Sequence, residues 1–285
     1  MKFKFFIREM KNKISTFLRK TGLIKCMDKI HFYLVFIKSY QKRKSFKKAN
    51  PDVILPPAYF IYETFGLDYY QFYNASIETA SWLISYFEKH KSLFDVNILD
   101  WGCGPGRVIR HIPSLLDKSC RCYGTDYNVK YVEWCSKYIQ DVKFKLNSLE
   151  PPLLFEDNKF DVIYGISIFT HLSEKMHYAW FNELIRVLRP GGILFLTLHG
   201  NSFKTKLSSE DKQKFDDLPI IKQKFDDGQI VVLSSSKEGH RTYGAFHPVP
   251  FVKELAGNNN ILEFVEGDVI DGKPQQDIWI FQKNK

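Results

Sequence analysis

The sequence predicts an α/β protein built on a mostly parallel sheet with helices on both faces. Three observations carry this. Beyond about residue 50, strand-like and helix-like segments alternate; a loop with three glycines follows the first of the strands; and the positive charge is concentrated before the alternation begins.

The 285 residues, 44% of them hydrophobic, are enough for one large core. The cysteines are Cys26, Cys103, Cys120, Cys122 and Cys135, an odd number with no CxxC pair, so neither a disulfide framework nor a metal site is expected. A reducing cytoplasm fits this usage. Residues 1–48 hold fifteen Lys or Arg against two acids, Glu9 and Asp28, a net of +13 in a chain whose total is +9, so the remainder carries −4. The basic start and the apolar run at residues 30–37 have the outline of a leader peptide. The run is shorter than the roughly 20 apolar residues a bilayer span needs. It is followed by Ser39-Tyr40-Gln41-Lys42-Arg43-Lys44 instead of a small-residue cleavage site. Neither export nor a span is expected.

In the arm, residues 1–50, Phe3, Phe6, Ile7, Met10, Ile14, Phe17 and Leu18 recur at helical spacing among lysines, which predicts a basic amphipathic helix ended by Gly22. A second helix over residues 27–40 runs into Lys42-Arg43-Lys44 and Lys47-Lys48, and Pro51, Pro56 and Pro57 mark a linker. Three uses fit the arm: a solvated helix pair packed on the main domain, contact with an anionic membrane, or contact with nucleic acid. The main domain, residues 51–285, opens with a helix at 74–87. Strands are expected at 97–100, 121–125, 143–145, 160–164 and 193–198, with helices at 107–116, 129–138 and 175–188. Residues 201–247 look like an insertion over the strand ends, strand-like only at 229–233. A helix at 249–256 then leads to two runs, 262–266 and 278–282, suited to an antiparallel hairpin. The aromatics Tyr59, Tyr69, Tyr70, Phe72 and Tyr73 read mostly as core, with a lid over a ligand at the strand ends as the alternative.

The chemistry is expected around Ile98-Leu99-Asp100-Trp101-Gly102-Cys103-Gly104-Pro105-Gly106-Arg107. Glycine is needed where backbone turns tightly and lets a ligand approach its N–H groups. Dinucleotide sites use GxGxxG with pyrophosphate on a helix N-terminus. Here the spacing is GxGxG, and Asp100 would repel a phosphate. A cationic ligand such as S-adenosylmethionine (SAM) suits it better. The next strand ends at Gly124-Thr125-Asp126-Tyr127, where Asp126 can accept from both hydroxyls of a ribose or cap the following helix. After the third strand, Asn147-Ser148-Leu149 offers an amide oxygen to an adenine amino group and an apolar side chain to its face, or caps a loop.

Together with Phe160-Asp161-Val162-Ile163-Tyr164 and Arg186-Val187-Leu188-Arg189-Pro190-Gly191-Gly192, these motifs resemble the class I SAM-dependent methyltransferases over roughly residues 58–285. The resemblance implies a Rossmann-like sheet with an antiparallel C-terminal hairpin. It also implies SAM as cofactor, with Asp100, Trp101, Gly102, Cys103, Gly104, Gly106, Asp126, Tyr127, Asn147, Ser148, Leu149 and Ile166 at its site. Ser167-Ile168-Phe169-Thr170-His171-Leu172, Ala179-Trp180, Thr197-Leu198-His199-Gly200 and Gln276-Asp277 resemble a bacterial subgroup often associated with glycan and surface-polysaccharide pathways. Taken by themselves, Arg186 and Arg189 suit a helix C-terminus, and Pro190 with the glycine pair suits a turn into the next strand.

Methyl transfer to a hydroxyl needs positioning and removal of a proton. His171, His199 and His247 fall on loops at strand ends, where such sheets bind ligands. His171 or His199 is the candidate general base, and His247 with Tyr243 is expected to shape the acceptor pocket; each is otherwise a structural histidine. Gly165-Ile166-Ser167-Ile168 lacks the acid or Asn followed by Pro-Pro-aromatic of exocyclic-amine methylation, and no Pro-Cys nucleophile is present. The expectation is O-methylation of a sugar or glycan intermediate, small or lipid-linked, at the cytoplasmic face of a membrane. An RNA methyltransferase using the basic arm, a nicotinamide-dependent oxidoreductase and a non-catalytic SAM-binding module are the rivals.

Overall fold

The computed structural model describes residues 24–206, 231–232, 238–239 and 243–284. The helix expected over residues 3–18, and most of the expected insertion, lie outside the described residues.

Helices α1 (Ile24–Lys38), α2 (Tyr40–Ala49), α3 (Ala58–Phe65) and α4 (Tyr69–His90) precede the sheet. Then come β1 (Asn97–Trp101), β2 (Arg121–Asp126), α5 (Val129–Tyr138), β3 (Val142–Leu146), β4 (Phe160–Ile166), α6 (Glu174–Val187) and β5 (Leu188–Leu198). After these follow β6 (Val231–Val232), β7 (Ala245–Phe246), α7 (Val249–Ala256), β8 (Asn260–Val265), β9 (Val269–Ile270), β10 (Lys273–Pro274) and β11 (Asp277–Gln282). The seven-stranded sheet has the order β3-β2-β1-β4-β5-β11-β8. Strands β1 to β5 are parallel, and β11 runs antiparallel between β5 and β8. This is the Rossmann-like arrangement, with its antiparallel C-terminal hairpin, that the resemblance implies.

Alternation along each strand divides the core into two layers. Leu99, Trp101, Ile163, Leu194, Leu196, Trp279 and Phe281 face α6 and α7, where Trp180, Phe181 and Phe251 meet them. Ile98, Val162, Tyr164, Ile193, Phe195 and Ile280 face α4, whose Leu83 and Phe87 are buried. A third cluster joins Phe46 of α2 and the inner side of α1 to Ile61, Tyr62, Tyr69 and Phe72, so the described part of the arm is packed on the domain. Tyr59 and Tyr73 pack against that cluster, while Tyr70 is exposed. Among the described residues, no helix is long and apolar enough to cross a membrane.

Two local expectations are corrected. Residues 107–116 form two short 3-10 turns, Ile109–His111 and Pro113–Leu115, instead of an α-helix. Pro113 lacks an N–H and its ring collides with the carbonyl four residues back, so an α-helix cannot pass through it. Residues 189–192 make the expected turn, leaving the ladder with β4 between Leu188 and Ile193, but do so inside β5 instead of ahead of it. They belong to β5, which starts at Leu188, and the Gly191 N–H donates to the Lys283 carbonyl (2.8 Å) at a left-handed φ of +72°.

Arg186 also does more than suit a helix end. It reaches Glu183 through Nε (2.8 Å) and Nη2 (2.6 Å) and the Phe155 carbonyl through Nη1 (3.1 Å). Glu183 is itself buried and accepts from the Leu153 N–H (2.6 Å). Arg186→Ala strands that carboxylate and is expected to cost about 2–3 kcal/mol of stability. Urea unfolding measures this, and a loss below about 0.5 kcal/mol would mean that solvent already screens the pair.

Candidate active site

The glycine loop is shaped by its neighbours at the strand ends. The Gly102 and Cys103 N–H groups both donate to the Thr125 carbonyl (2.8 and 2.9 Å), pinning the loop across the end of β2. The next donor, Gly104 N–H, bonds Asp126 Oδ2 (2.9 Å), and Asn128 N–H bonds Oδ1 (2.8 Å). Gly104 sits at φ +54° with nothing within 4 Å of where a Cβ would stand, so the loop presents bare backbone to open space. At Gly106 a Cβ would meet Ile139 Cδ1 at 2.5 Å, so this glycine serves close packing against α5 and does not line the cleft.

Over this loop opens a cleft of about 470 Å³, walled by Asp100, the glycines, Arg107, Ile166, Ser167 and, from α3, Glu63 and Thr64. Beside it lies a narrower cavity of about 70 Å³, walled by Trp101, Asp126, Tyr127, Asn147, Ser148, Leu149, Trp180 and Gly239. Gly102, Ile168 and His171 border both, so the two form one trough along the C-terminal ends of β1, β2 and β4. Every residue named from the sequence for the cofactor except Gly106 lies on its wall.

Asp100, opposite Tyr164 in the β1–β4 register, accepts from the Tyr164 hydroxyl at 2.9 Å. Burial pushes its carboxyl up to about 7, with the Tyr164 hydrogen bond and the Arg107 guanidinium pulling the other way. Burial also raises Asp126, to about 6, against the N–H groups of Asn128, Gly104 and Tyr127. Two oxygens with about four acceptor sites between them leave Asp126 a lone pair for a ligand hydroxyl beyond these N–H groups. Asn147 donates Nδ2 to the Ser148 carbonyl (2.6 Å), while its buried Oδ1 has no partner among the described residues. An acceptor of this kind suits an amino group. Arg107, from the residue after the loop, donates Nη1 to Ser76 Oγ of α4 (2.9 Å).

The three histidines go to different places. His171 ends a 3-10 turn after β4, and its Nδ1 lies 2.9 Å from the Tyr243 carbonyl. A carbonyl only accepts, so Nδ1 carries the proton and Nε2 is the basic nitrogen. Its own carbonyl accepts from the Gly239 N–H (2.8 Å), and the Gly239 carbonyl accepts from the Tyr127 hydroxyl (2.9 Å), so residue 239 bridges the trough. His199 is stacked on Phe203, ring centroids 3.9 Å apart, and is not on the trough wall. His247 is buried beside His177, their Nε2 atoms 2.8 Å apart. His177 Nδ1 faces the Ser173 carbonyl (2.6 Å), so His247 donates to His177. Burial holds His177 down at about 4 and His247 well below its ordinary value, which keeps both rings neutral. Tyr243 contributes its carbonyl to the site, whereas the His247 ring is spent on His177.

Arg107, Glu63, Trp180 and Gly239 were not singled out for the trough from the sequence. Arg107 had a signal, being the first cation after a loop suited to a zwitterionic ligand. Glu63 and Gly239 had none, because they arrive from segments remote in the chain. Among the described residues, no group of three or more His, Cys, Asp or Glu is placed to hold a metal ion.

Residues 98–192, about a third of the chain, match the family model of a methyltransferase domain. A sterol 24-C-methyltransferase of Schizosaccharomyces pombe is 31% identical over 103 residues, 34% of this chain and 26% of that protein. A tRNA (carboxymethyluridine(34)-5-O)-methyltransferase of Arabidopsis thaliana is 31% identical over 102 residues, covering 35% and 23%. The chain thus spans about a quarter of the length of these curated relatives. Among solved structures, a SAM-dependent methyltransferase from Methanosarcina mazei superposes with a TM-score of 0.53 at 21% identity, over 70% of this chain and 97% of that one. The matched segment carries the glycine loop, Asp126, Asn147 and His171, and the chain has the fold of the class I SAM-dependent methyltransferases.

Proposed function

We propose that the protein is a SAM-dependent methyltransferase that methylates a hydroxyl of a sugar or glycan intermediate, small or lipid-linked, at the inner face of a membrane. The observation that carries this reading is the position of His171 where the two halves of the trough meet, with its tautomer set by the Tyr243 carbonyl. SAM would supply an electrophilic methyl on a sulfonium. Asp126 would hold the ribose hydroxyls, Asn147 Oδ1 the adenine amino group and Leu149 the face of the base. Asp100 and the glycine loop suit the ammonium end, and Arg107 the carboxylate. His171 Nε2 would take the acceptor's hydroxyl proton as the oxygen gains the methyl group. The walls of the trough would keep the acceptor beside the cofactor.

The sugar assignment rests on the resemblance of residues 167–172, 197–200 and 276–277 to the glycan-associated subgroup. These segments meet beside the trough, where Ser167 N–H donates to Thr197 Oγ1 (2.9 Å) and Gln276 Nε2 to Ser167 Oγ. The two curated relatives are named for a sterol and a tRNA, so no acceptor is taken from them. Calorimetric titration with SAM and with NADH, then incorporation of labelled methyl into lipid-linked sugars and RNA, tests the reading. Micromolar SAM binding and label in the sugar are expected. NADH binding without SAM, or label only in RNA, would overturn it.

The raised carboxyls set a pH dependence. Without ligand, Asp100 titrates near 7 and Asp126 near 6, and the proposed contacts favour both ionised forms. Binding at low pH must therefore expel protons, and SAM affinity is expected to rise from pH about 5.5 to 7.5 and level off above. Titrations in buffers of different ionisation enthalpy count those protons. A flat profile with no proton release would remove the two carboxylates from the ligand site.

A further inference from the structure

The helix before the linker carries an apolar stripe that the described structure leaves uncovered. On its inner side α1 places Phe32, Val35 and Phe36 against the cluster around Tyr59 and Tyr62, and Asp28 accepts from both of those hydroxyls. On the opposite side Ile30, Tyr33, Leu34 and Ile37 are 52%, 62%, 51% and 71% exposed. At about 100° per residue these four share one arc of roughly 100°, and Lys29 and Lys38 border it on either side. In α2, Lys42, Lys44, Lys47 and Lys48 are exposed while Arg43 and Phe46 turn inward. Single exposed apolar residues are ordinary; an aligned row of four with a lysine border marks a contact surface.

We propose that the outer side of α1 seats the protein on an anionic lipid bilayer, with Ile30, Tyr33, Leu34 and Ile37 entering the headgroup boundary, Lys29 and Lys38 against the lipid phosphates, and the α2 lysines adding to the attraction. Charge selects this occupant. Residues 1–23 bring seven Lys or Arg against Glu9 alone, and a second copy brings the same lysines, so either would set positive charge against positive. RNA would satisfy the lysines but leave Ile30, Leu34 and Ile37 in water. An anionic bilayer satisfies both parts of the face. The inference deepens the proposed action at a membrane and rests on that reading only for its purpose, because lipid binding is measured without methyl transfer.

The test is co-sedimentation of the full chain with phosphatidylcholine vesicles, with and without about one third phosphatidylglycerol, at low and high salt. Binding to the anionic vesicles that weakens with salt is expected. Leu34→Glu with Ile37→Glu should reduce it by about tenfold or more. Both side chains are exposed, so circular dichroism and SAM affinity should match the parent chain. Lys29→Gln with Lys38→Gln leaves the stripe intact and should weaken anionic binding by about threefold or more, with a shallower salt dependence. Absence of binding by the parent chain, or equal binding by the Leu34/Ile37 variant, would overturn the proposal. So would a dimer of the parent chain that the same variant renders monomeric, which would assign the stripe to a second copy. Vesicle binding by a chain that fails to bind SAM would sink the proposed enzyme activity and leave this surface standing.

Discussion

Asp126→Ala is expected to weaken SAM binding by about 10²–10⁴-fold. Hydrogen bonds to a charged group contribute about 1.5–3 kcal/mol each, and the proposed ribose contact has two. The same carboxylate also anchors the Gly104 and Asn128 N–H groups, so its removal frees the loop that presents backbone to the ligand. Asp126→Asn separates these effects. An amide has one acceptor oxygen and its NH₂ faces an N–H, so it cannot hold both anchors, and an intermediate loss is expected. Calorimetry gives the affinities, and a thermal melt shows how much of each loss is folding. Near-normal SAM affinity in a folded Asp126→Ala chain would place the cofactor elsewhere.

His171→Ala is expected to lower turnover by about 10²–10⁴-fold, the usual contribution of a positioned base, while SAM affinity stays within about threefold. His199→Ala is the comparison, because that ring stacks on Phe203 away from the trough. Its turnover should change little. His247→Ala should act on stability instead, since it leaves the buried His177 Nε2 without its donor. Should His171→Ala turn over like the parent chain, the base assignment is wrong, and positioning alone must account for catalysis.

The fold was legible because its signals are local. Strand and helix periods located β1, β2, β4, α5, α6 and α7 to within a few residues, and α7 coincides with the expected 249–256. The misreadings have identifiable causes. The helical pattern after Gly106 was broken by Pro113, and the turn at the glycine pair is taken up inside β5 by a hydrogen bond to Lys283. In α1 the apolar residues could be seen, but their division between an inner and an outer side could not. It depends on where Tyr59 and Tyr62 lie.

The residue order alone determined the sheet, the glycine loop, and the placing of Asp100, Asp126 and Asn147 at adjoining strand ends, because a strand's register and its C-terminal loop follow from short-range pattern and parallel pairing. Which histidine faces the trough was a tertiary decision. His171 is oriented by Tyr243, 72 residues away, and His247 is taken out of reach by His177, 70 residues away. Gly239 closes on Tyr127 across 112 residues. A ring's proton and direction depend on the partner that packing brings to it, and that partner is set by the folded chain rather than by neighbours in sequence.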